Sequence, residues 1–319
     1  MGNPYKDKIL ITGGAGFIGS QVVRAYLQAG YQVVVVDDFS RGKRERLPER
    51  VRVYKADICD LDILSEIFAR ERPTVVSHHA ALVSVRESYE NPDPYYRVII
   101  KGTRNVMEAC KGVELQKFIF ASSGGAIYGD VAEMPIKESV RQLPLSPYGD
   151  YKGIAEILIN LWETKTEKII LRYGNVYGPG QDALQNNGVI AIFTHALLNG
   201  DQPVIYGDGL QTRDYIHIHD VVEANLAALE PGVTGVFNIG AGQGFTLGEI
   251  FRKIADQLGM EGVSPAYLPA NRYEVLHNVL DIGRAKNDLG WQPRISLDQG
   301  LRETIQTIAE EQREEYVSD

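Results

Sequence analysis

The chain has 319 residues, 44% of them apolar and 24% charged, the make-up of an ordinary soluble globular protein with room for one large domain or two coupled ones. Its net charge of −9 argues against a general binder of nucleic acid or of anionic membranes, which would need a basic face. Cys59 and Cys110 stand at no metal-ligand spacing and the six histidines show none, so neither a disulfide framework nor a metal site is expected.

No apolar run reaches the length of a membrane span, and the opening Met1-Gly2-Asn3-Pro4-Tyr5-Lys6 lacks the apolar centre of a signal peptide. Lys6 also stands where a myristoylation site wants Ser or Thr. A cytoplasmic protein is expected.

Ile9-Leu10-Ile11-Thr12 is an aliphatic run that ends in Gly13-Gly14-Ala15-Gly16-Phe17-Ile18-Gly19. Ile18, Val22, Val23, Tyr26 and Leu27 then share one face at helical spacing, and Gly30 stops the helix. Val33 to Val36 form a second run, ending at Asp37 and Asp38. This is a βαβ unit. Gly14, Gly16 and Gly19 satisfy G-x-G-x-x-G, and Gly13, Gly16 and Gly19 satisfy G-x-x-G-x-x-G. Such glycines allow a tight turn, close approach of backbone to a pyrophosphate and close helix–strand packing, while the helix N-terminus offers free N–H groups. Either pattern alone is weak, and the strand before and helix after give it weight. Asp37 is placed to accept hydrogen bonds from an adenosine ribose and to repel a 2′-phosphate, so NAD rather than NADP is expected, although Arg41, Lys43 and Arg44 follow closely.

Val51–Lys55 reads as a third strand leading to Asp57-Ile58, and Leu61, Leu64, Ile67 and Phe68 as a helical face. Pro73–His78 is a fourth strand, and a long helical pattern follows Pro92 and Pro94 through Val98, Gly102, Val106 and Ala109. Phe118–Ala121 is a fifth strand, Pro147–Trp162 a helix and Lys168–Arg172 a sixth strand. Strands alternating with helices predict an α/β protein with a Rossmann-type, doubly wound parallel sheet. Past Gly174 the alternation loosens into Gly-, Asn- and Pro-rich loops, including Gln185-Asn186-Asn187, which predicts a smaller α+β lobe closing over the carboxyl ends of the strands. The expected division is 1–174 for the dinucleotide, with later segments returning to it, and 175–319 mainly for the substrate. Leu301, Ile305 and Ile308 place a helix near the end, over Leu297–Tyr316.

Tyr148 and Lys152 form Y-x-x-x-K at the start of a predicted helix, on one face. An ammonium beside a phenol favours phenolate, so the pair predicts a tyrosine of lowered pKa working as acid and base. Tyr and Lys four apart are also a common accident of surface packing; the preceding dinucleotide half and the Ser122-Ser123 strand end weigh against that. Asp214 and Asp220 read as structural acids, the second as a helix cap. His78, His79, His217 and His219 read as structural. Tyr128 and Tyr177 fit the core better than a pocket lining.

With these motifs in place, together with His79-Ala80-Ala81, Gly102-Thr103, Ser122 to Gly129, Leu171 to Pro179, Gln211 to His217 with Asp220-Val221, and Leu289-Gly290-Trp291, the chain resembles the sugar-nucleotide branch of the extended short-chain dehydrogenases/reductases over nearly its whole length. Within that branch it is most similar to the UDP-glucose (UDP-galactose) 4-epimerases. The resemblance implies NAD held by Gly13, Gly16, Phe17, Ile18, Gly19, Asp37, Asp38, Ser40, Gly42, Asp57, Ile58, Ala80, Ala81, Tyr148 and Lys152. It implies Tyr148 as the acid/base on the sugar 4-hydroxyl, with Lys152 and a serine beside it. A UDP-sugar is implied at Ser84, Asn175, Val189, Tyr206, Arg213, Arg272 and Glu274, with Asn175 and Arg213 on the diphosphate and Tyr206 near the uracil. No metal is implied. In relatives the helices after Pro94 and Pro147 form a four-helix dimer interface, so a homodimer is expected.

The chain also departs from the family pattern. Gly124 stands at the position of the usual Ser or Thr, leaving Ser123, Ser122 or a water to share the 4-hydroxyl. Tyr151 precedes Lys152 in place of Ser, Ile99 replaces an Asn, and Arg272 sits one place late. No carboxylate lies in Gly124-Gly125-Ala126-Ile127-Tyr128, where dehydratases and decarboxylases carry theirs, which favours epimerisation over elimination. The alternatives are another sugar-nucleotide enzyme (a UDP-glucuronate or UDP-N-acetylhexosamine 4-epimerase, or a 4,6-dehydratase) and a non-catalytic NAD-binding regulator.

Overall fold

The computed structural model describes residues 8–183, 188–270 and 275–318. Six aliphatic runs give β1 (Lys8–Thr12), β2 (Gln32–Asp37), β3 (Arg52–Lys55), β4 (Val75–His78), β5 (Lys117–Ser123) and β6 (Glu167–Tyr173). The short strands β7 (Asn175–Tyr177), β8 (Val204–Tyr206) and β9 (Thr212–His217) follow. β10 (Gly235–Ile239), past the boundary expected near Gly174, then joins the first six. The seven run β10-β6-β5-β4-β1-β2-β3, every neighbouring pair parallel.

The period of two explains why these strands read as unbroken apolar runs. Ile9 and Ile11 face one layer with Val22, Val23 and Tyr26, while Leu10 faces the other with Leu64, Phe68 and Val106. Burying each such side chain stabilises the fold by about 1.5–3 kcal/mol. The covering helices are α1 (Phe17–Gln28), α2 (Leu61–Glu71), α3 (Val85–Glu90), α4 (Pro92–Tyr95), α5 (Thr103–Cys110) and α6 (Pro147–Leu161). The pattern after Pro92 predicts one long helix. Instead, Tyr96–Gly102 between α4 and α5 winds as a π-helix, with the Gly102 backbone against Ile58, where a Cβ would meet Cγ1 at 2.8 Å.

α7 (Val189–Leu198), α8 (Ile218–Ala227), α9 (Leu247–Gln257), α10 (Gly283–Asp288) and α11 (Leu297–Ser318) complete the chain, with β11 (Gly244–Thr246) beside β9 and β12 (Ala266–Leu268) beside β8. α8 packs on α1, and the Tyr26 hydroxyl donates to the Asn225 carbonyl at 3.2 Å. A separate core of Tyr177, Ile190, Phe193, Ile250, Phe251 and Leu301 supports the second lobe. Two acids hold these parts together. Asp214 accepts amides of Ala241, Gly242 and Leu280. Asp220 is not the cap of α8: that position is His217, and Asp220 lies in the first turn, accepting the Arg294 and Ile295 amides at 2.9 and 3.1 Å. Among the described residues no helix is long and apolar enough to cross a membrane.

Candidate active site

A cavity of about 840 Å³ opens at the carboxyl ends of β1, β4 and β5, where the strand order reverses. Its outer end is the glycine turn. Gly13 has φ 68°, and a Cβ there would meet the Ala80 backbone at 2.6 Å; a Cβ on Gly19 would collide with the Gly13 carbonyl. Among the described residues no side chain caps α1 at Gly16, so its first-turn N–H groups are available to an anion. Asp37 sits at the end of β2, its carboxylate 2.9 Å from both the Ala15 and the Phe39 amides. Arg41 pairs with Glu87 at 2.8 Å, Lys43 pairs with Asp182 at 2.7 Å, and Arg44 donates to the Leu47 carbonyl. Each of the three cations thus has a partner of its own, and Arg41 stands with Arg46 on the cavity wall. A glycine cradle with no room for side chains, a free helix N-terminus and an acid beside it fit NAD.

The inner end is built by α6 against β5. Ser146 accepts the Gly149 amide at 3.1 Å and Pro147 starts the helix. Gly149 lies so close to the Ala126 carbonyl that a Cβ would meet it at 2.5 Å. This close approach buries Tyr148 and brings its phenol to the Ser123 hydroxyl. The lowered tyrosine pKa expected from Lys152 is corrected here: burial pushes Tyr148 up to about 12, with the Ser123 hydrogen bond pulling against it. Lys152 Nζ instead donates to the Ala121 carbonyl at 2.7 Å and lies 4.7 Å from the centre of the Phe120 ring. Burial draws Lys152 down to about 7, opposed by Glu156. Ser122 donates to Glu156, so the serine that meets the phenol is Ser123. Gly124 leaves no room for the missing family hydroxyl, because a Cβ would meet Leu280 Cδ1 at 2.7 Å.

Phe17, Ile18, Asp38, Ser40, Gly42, Asp57, Ile58, Ala80 and Ala81 all line the same cavity, as do Ser84, Asn175 and Arg213. Ser84 also caps α3, and the buried Asn175 Oδ1 has no partner among the described residues. Two expected substrate contacts lie off the cavity wall. Val189 begins α7 behind Gly188, which does line it, and Tyr206 is 40% exposed beside the cavity residue Arg86. Arg272 and Glu274 fall outside the described residues, as do Gln185, Asn186 and Asn187. His78 is structural, held between the Thr12 and Thr103 hydroxyls at 2.6 and 2.9 Å. Tyr128 and Tyr177 are core residues and do not line the cavity. Arg86, Gln181 and Asp182 lie in none of the motifs and His79 reads as structural from the sequence, yet all four line it. Only the nearness of His79 and Arg86 to Ala80-Ala81 and Ser84 could have marked two of them.

A doubly wound parallel sheet, a glycine turn at its switch point and a Tyr–Lys helix on the same cavity define a dinucleotide-dependent α/β enzyme. Residues 9–240 match the NAD dependent epimerase/dehydratase family, and the chain belongs to that family. It is 38% identical to a putative UDP-glucose 4-epimerase of Methanocaldococcus jannaschii, over 93% of this chain and 97% of that one. The crystal structure of UDP-glucose 4-epimerase with UDP-glucose from Thermotoga maritima superposes with a TM-score of 0.93 at 40% identity, covering 96% of this chain and 99% of that one. UDP-glucose 4-epimerase of Thermus thermophilus in complex with NAD gives 0.88 at 36% identity, over 95% and 99%.

Proposed function

We propose that this chain is a UDP-glucose 4-epimerase, interconverting UDP-glucose and UDP-galactose through a transient 4-keto sugar. One observation carries the reading: Ser123, Tyr148 and Lys152 line the inner end of the cavity whose outer end is the glycine turn, in a chain 38% identical to a putative UDP-glucose 4-epimerase and 40% identical to a UDP-glucose 4-epimerase solved with UDP-glucose. Residues 1–174 would carry the dinucleotide and 175–319 mainly the nucleotide sugar. Gly13, Gly16, Gly19 and Asp37 would hold NAD, which when bound accepts and returns a hydride. Tyr148 takes the proton from the sugar 4-hydroxyl and gives one back to the 4-keto oxygen, on whichever face the sugar then presents. Ser123 shares that oxygen's hydrogen bonds. Lys152, one turn along the same helix face with its Nζ on the Ala121 carbonyl, would hold the nicotinamide ribose. Asn175 and Arg213 are suited to the diphosphate, Arg as a bidentate donor. No carboxylate stands in Gly124–Tyr128 to serve elimination.

Incubation of the protein with NAD and UDP-glucose, followed by NMR of the anomeric protons, tests the reading. UDP-galactose supports it. Conversion of only a UDP-uronate or a UDP-N-acetylhexosamine moves the substrate, a 4-keto-6-deoxy product makes it a dehydratase, and no conversion of any UDP-sugar leaves a regulator. Tyr148→Phe should keep bound NAD and lose turnover by at least about 10²-fold. Near-native turnover would remove Tyr148 from the mechanism.

A homodimer through α6 and the Pro92–Cys110 helices belongs to the same reading. Ile154, Ile157 and Leu161 are 43%, 55% and 73% exposed on one stripe of α6, with exposed Tyr96 alongside. Leu161→Glu should turn a dimer into a monomer by sedimentation at micromolar concentration; a wild-type monomer there would count against the interface.

A further inference from the structure

Three residues of α6 meet three successive residues of β5. The Tyr148 phenol meets the Ser123 hydroxyl, Lys152 Nζ donates to the Ala121 carbonyl, and Glu156 accepts the Ser122 hydroxyl. Spaced four apart, the three lie along one helix face. Glu156 is 2% exposed. Its Oε2 accepts Arg172 Nη2 at 2.6 Å and Gln142 Nε2 at 2.8 Å, and its Oε1 accepts Arg172 Nε at 3.0 Å. Arg172, from β6, also donates to the Tyr128 hydroxyl at 2.7 Å and the Glu138 carbonyl at 3.1 Å. A carboxylate fixed from two strands and from the loop before α6 has little freedom left.

We propose that Glu156 is a positioning residue for the reaction: it pins the end of β5 beneath α6 so that Ser123 faces Tyr148, and it sets a negative charge one turn from the Lys152 ammonium. The inference rests on the reading of Tyr148 as acid and base. Lys152 is faced by His78 of β4 and His79 just past it, by the Phe120 ring of β5, and by Tyr148 and Glu156 of its own helix, with Arg172 behind Glu156. Burial keeps both histidines neutral, at about 3. Among the described residues Glu156 is therefore the one anion acting on Lys152, and it opposes the burial that draws the amine down.

Glu156→Gln keeps the shape and removes the charge. Arg172 then stands unopposed and Lys152 gives up its proton at lower pH. The alkaline limb of the kcat–pH profile should move down by about 0.5–1 unit, with KM for the UDP-sugar within about twofold, and Glu156→Asp should return the limb to its place. A limb that stays put while only the melting temperature falls overturns the proposal. If Glu156→Gln does not fold, Ser122→Ala reads the pinning directly. Its kcat should drop roughly three- to tenfold at unchanged KM, and native kcat overturns the proposal. Tyr148→Phe assayed alongside separates the two readings. Near-native turnover there removes the acid/base role itself, whereas a dead Tyr148→Phe with an unmoved Glu156→Gln limb removes only the role of Glu156.

Discussion

Asp37 Oδ2 accepts a hydrogen bond from the Ala15 amide at 2.9 Å, across the turn that opens the dinucleotide cleft. Its other oxygen accepts the Phe39 amide at 2.9 Å, and Gly42 lies so close that a Cβ would sit 2.9 Å from Oδ1. The carboxylate that the motif assigns to a ribose therefore also ties the glycine turn to the loop after β2. Asp37→Ala would orphan both amides, at a cost of about 1–3 kcal/mol. The expected outcome is a lower melting temperature together with less NAD retained per chain after gel filtration. Loss of NAD at native stability would mean that Asp37 serves the ligand alone.

Gly124→Ser restores a hydroxyl where relatives carry one, and it should not help. The new Cβ would meet Leu280 Cδ1 at 2.7 Å and the Arg172 carbonyl at 3.0 Å, and Asn278 already donates to the Gly124 carbonyl at 3.0 Å. Overpacking of this kind costs about 1–3 kcal/mol. Turnover should stay at or below that of the native chain and the melting temperature should fall. Raised turnover at native stability would show that the hydroxyl belongs at Gly124, and that Ser123 does not fill its place.

The cofactor half was legible because its signals are local. The glycine turn, the valine run of β2 and the Tyr–Lys spacing each lie within one or two elements, and backbone geometry follows from them directly. What escaped depends on contacts distant in sequence. A later segment was expected to return to the first domain, but that it is β10, paired beside β6 across more than sixty residues, is something no periodicity reveals. Lys43 and Asp182 pair at 2.7 Å from segments far apart in the sequence. The pKa of Tyr148 was misjudged for a related reason. Helical spacing places Lys152 near it, but only the packed structure shows the ammonium turned to the Ala121 carbonyl and the phenol buried. Similarly, the choice of Ser123 over Ser122 hangs on Glu156, a residue the motif does not mark.

Glu71, at the end of α2, makes the fold sensitive to acid at a point far from the cleft. Its side chain is 1% exposed and accepts from Lys8 Nζ at 3.0 Å, Arg52 Nη1 at 2.8 Å and the Tyr54 hydroxyl at 2.6 Å. Burial alone would raise its pKa, but the hydrogen bonds from Tyr54, Arg52 and Lys8 together hold it down at about 2. An unfolded glutamate titrates near about 4.3. The folded value lies below the unfolded one, so the contribution is fully present above about pH 4.3 and is lost as pH falls toward about 2. Glu71→Gln should melt lower than the native chain at about pH 7 and approach it at about pH 2.5. A gap in melting temperature that stays constant across that range would show that the charge of Glu71, rather than its hydrogen bonding, contributes nothing.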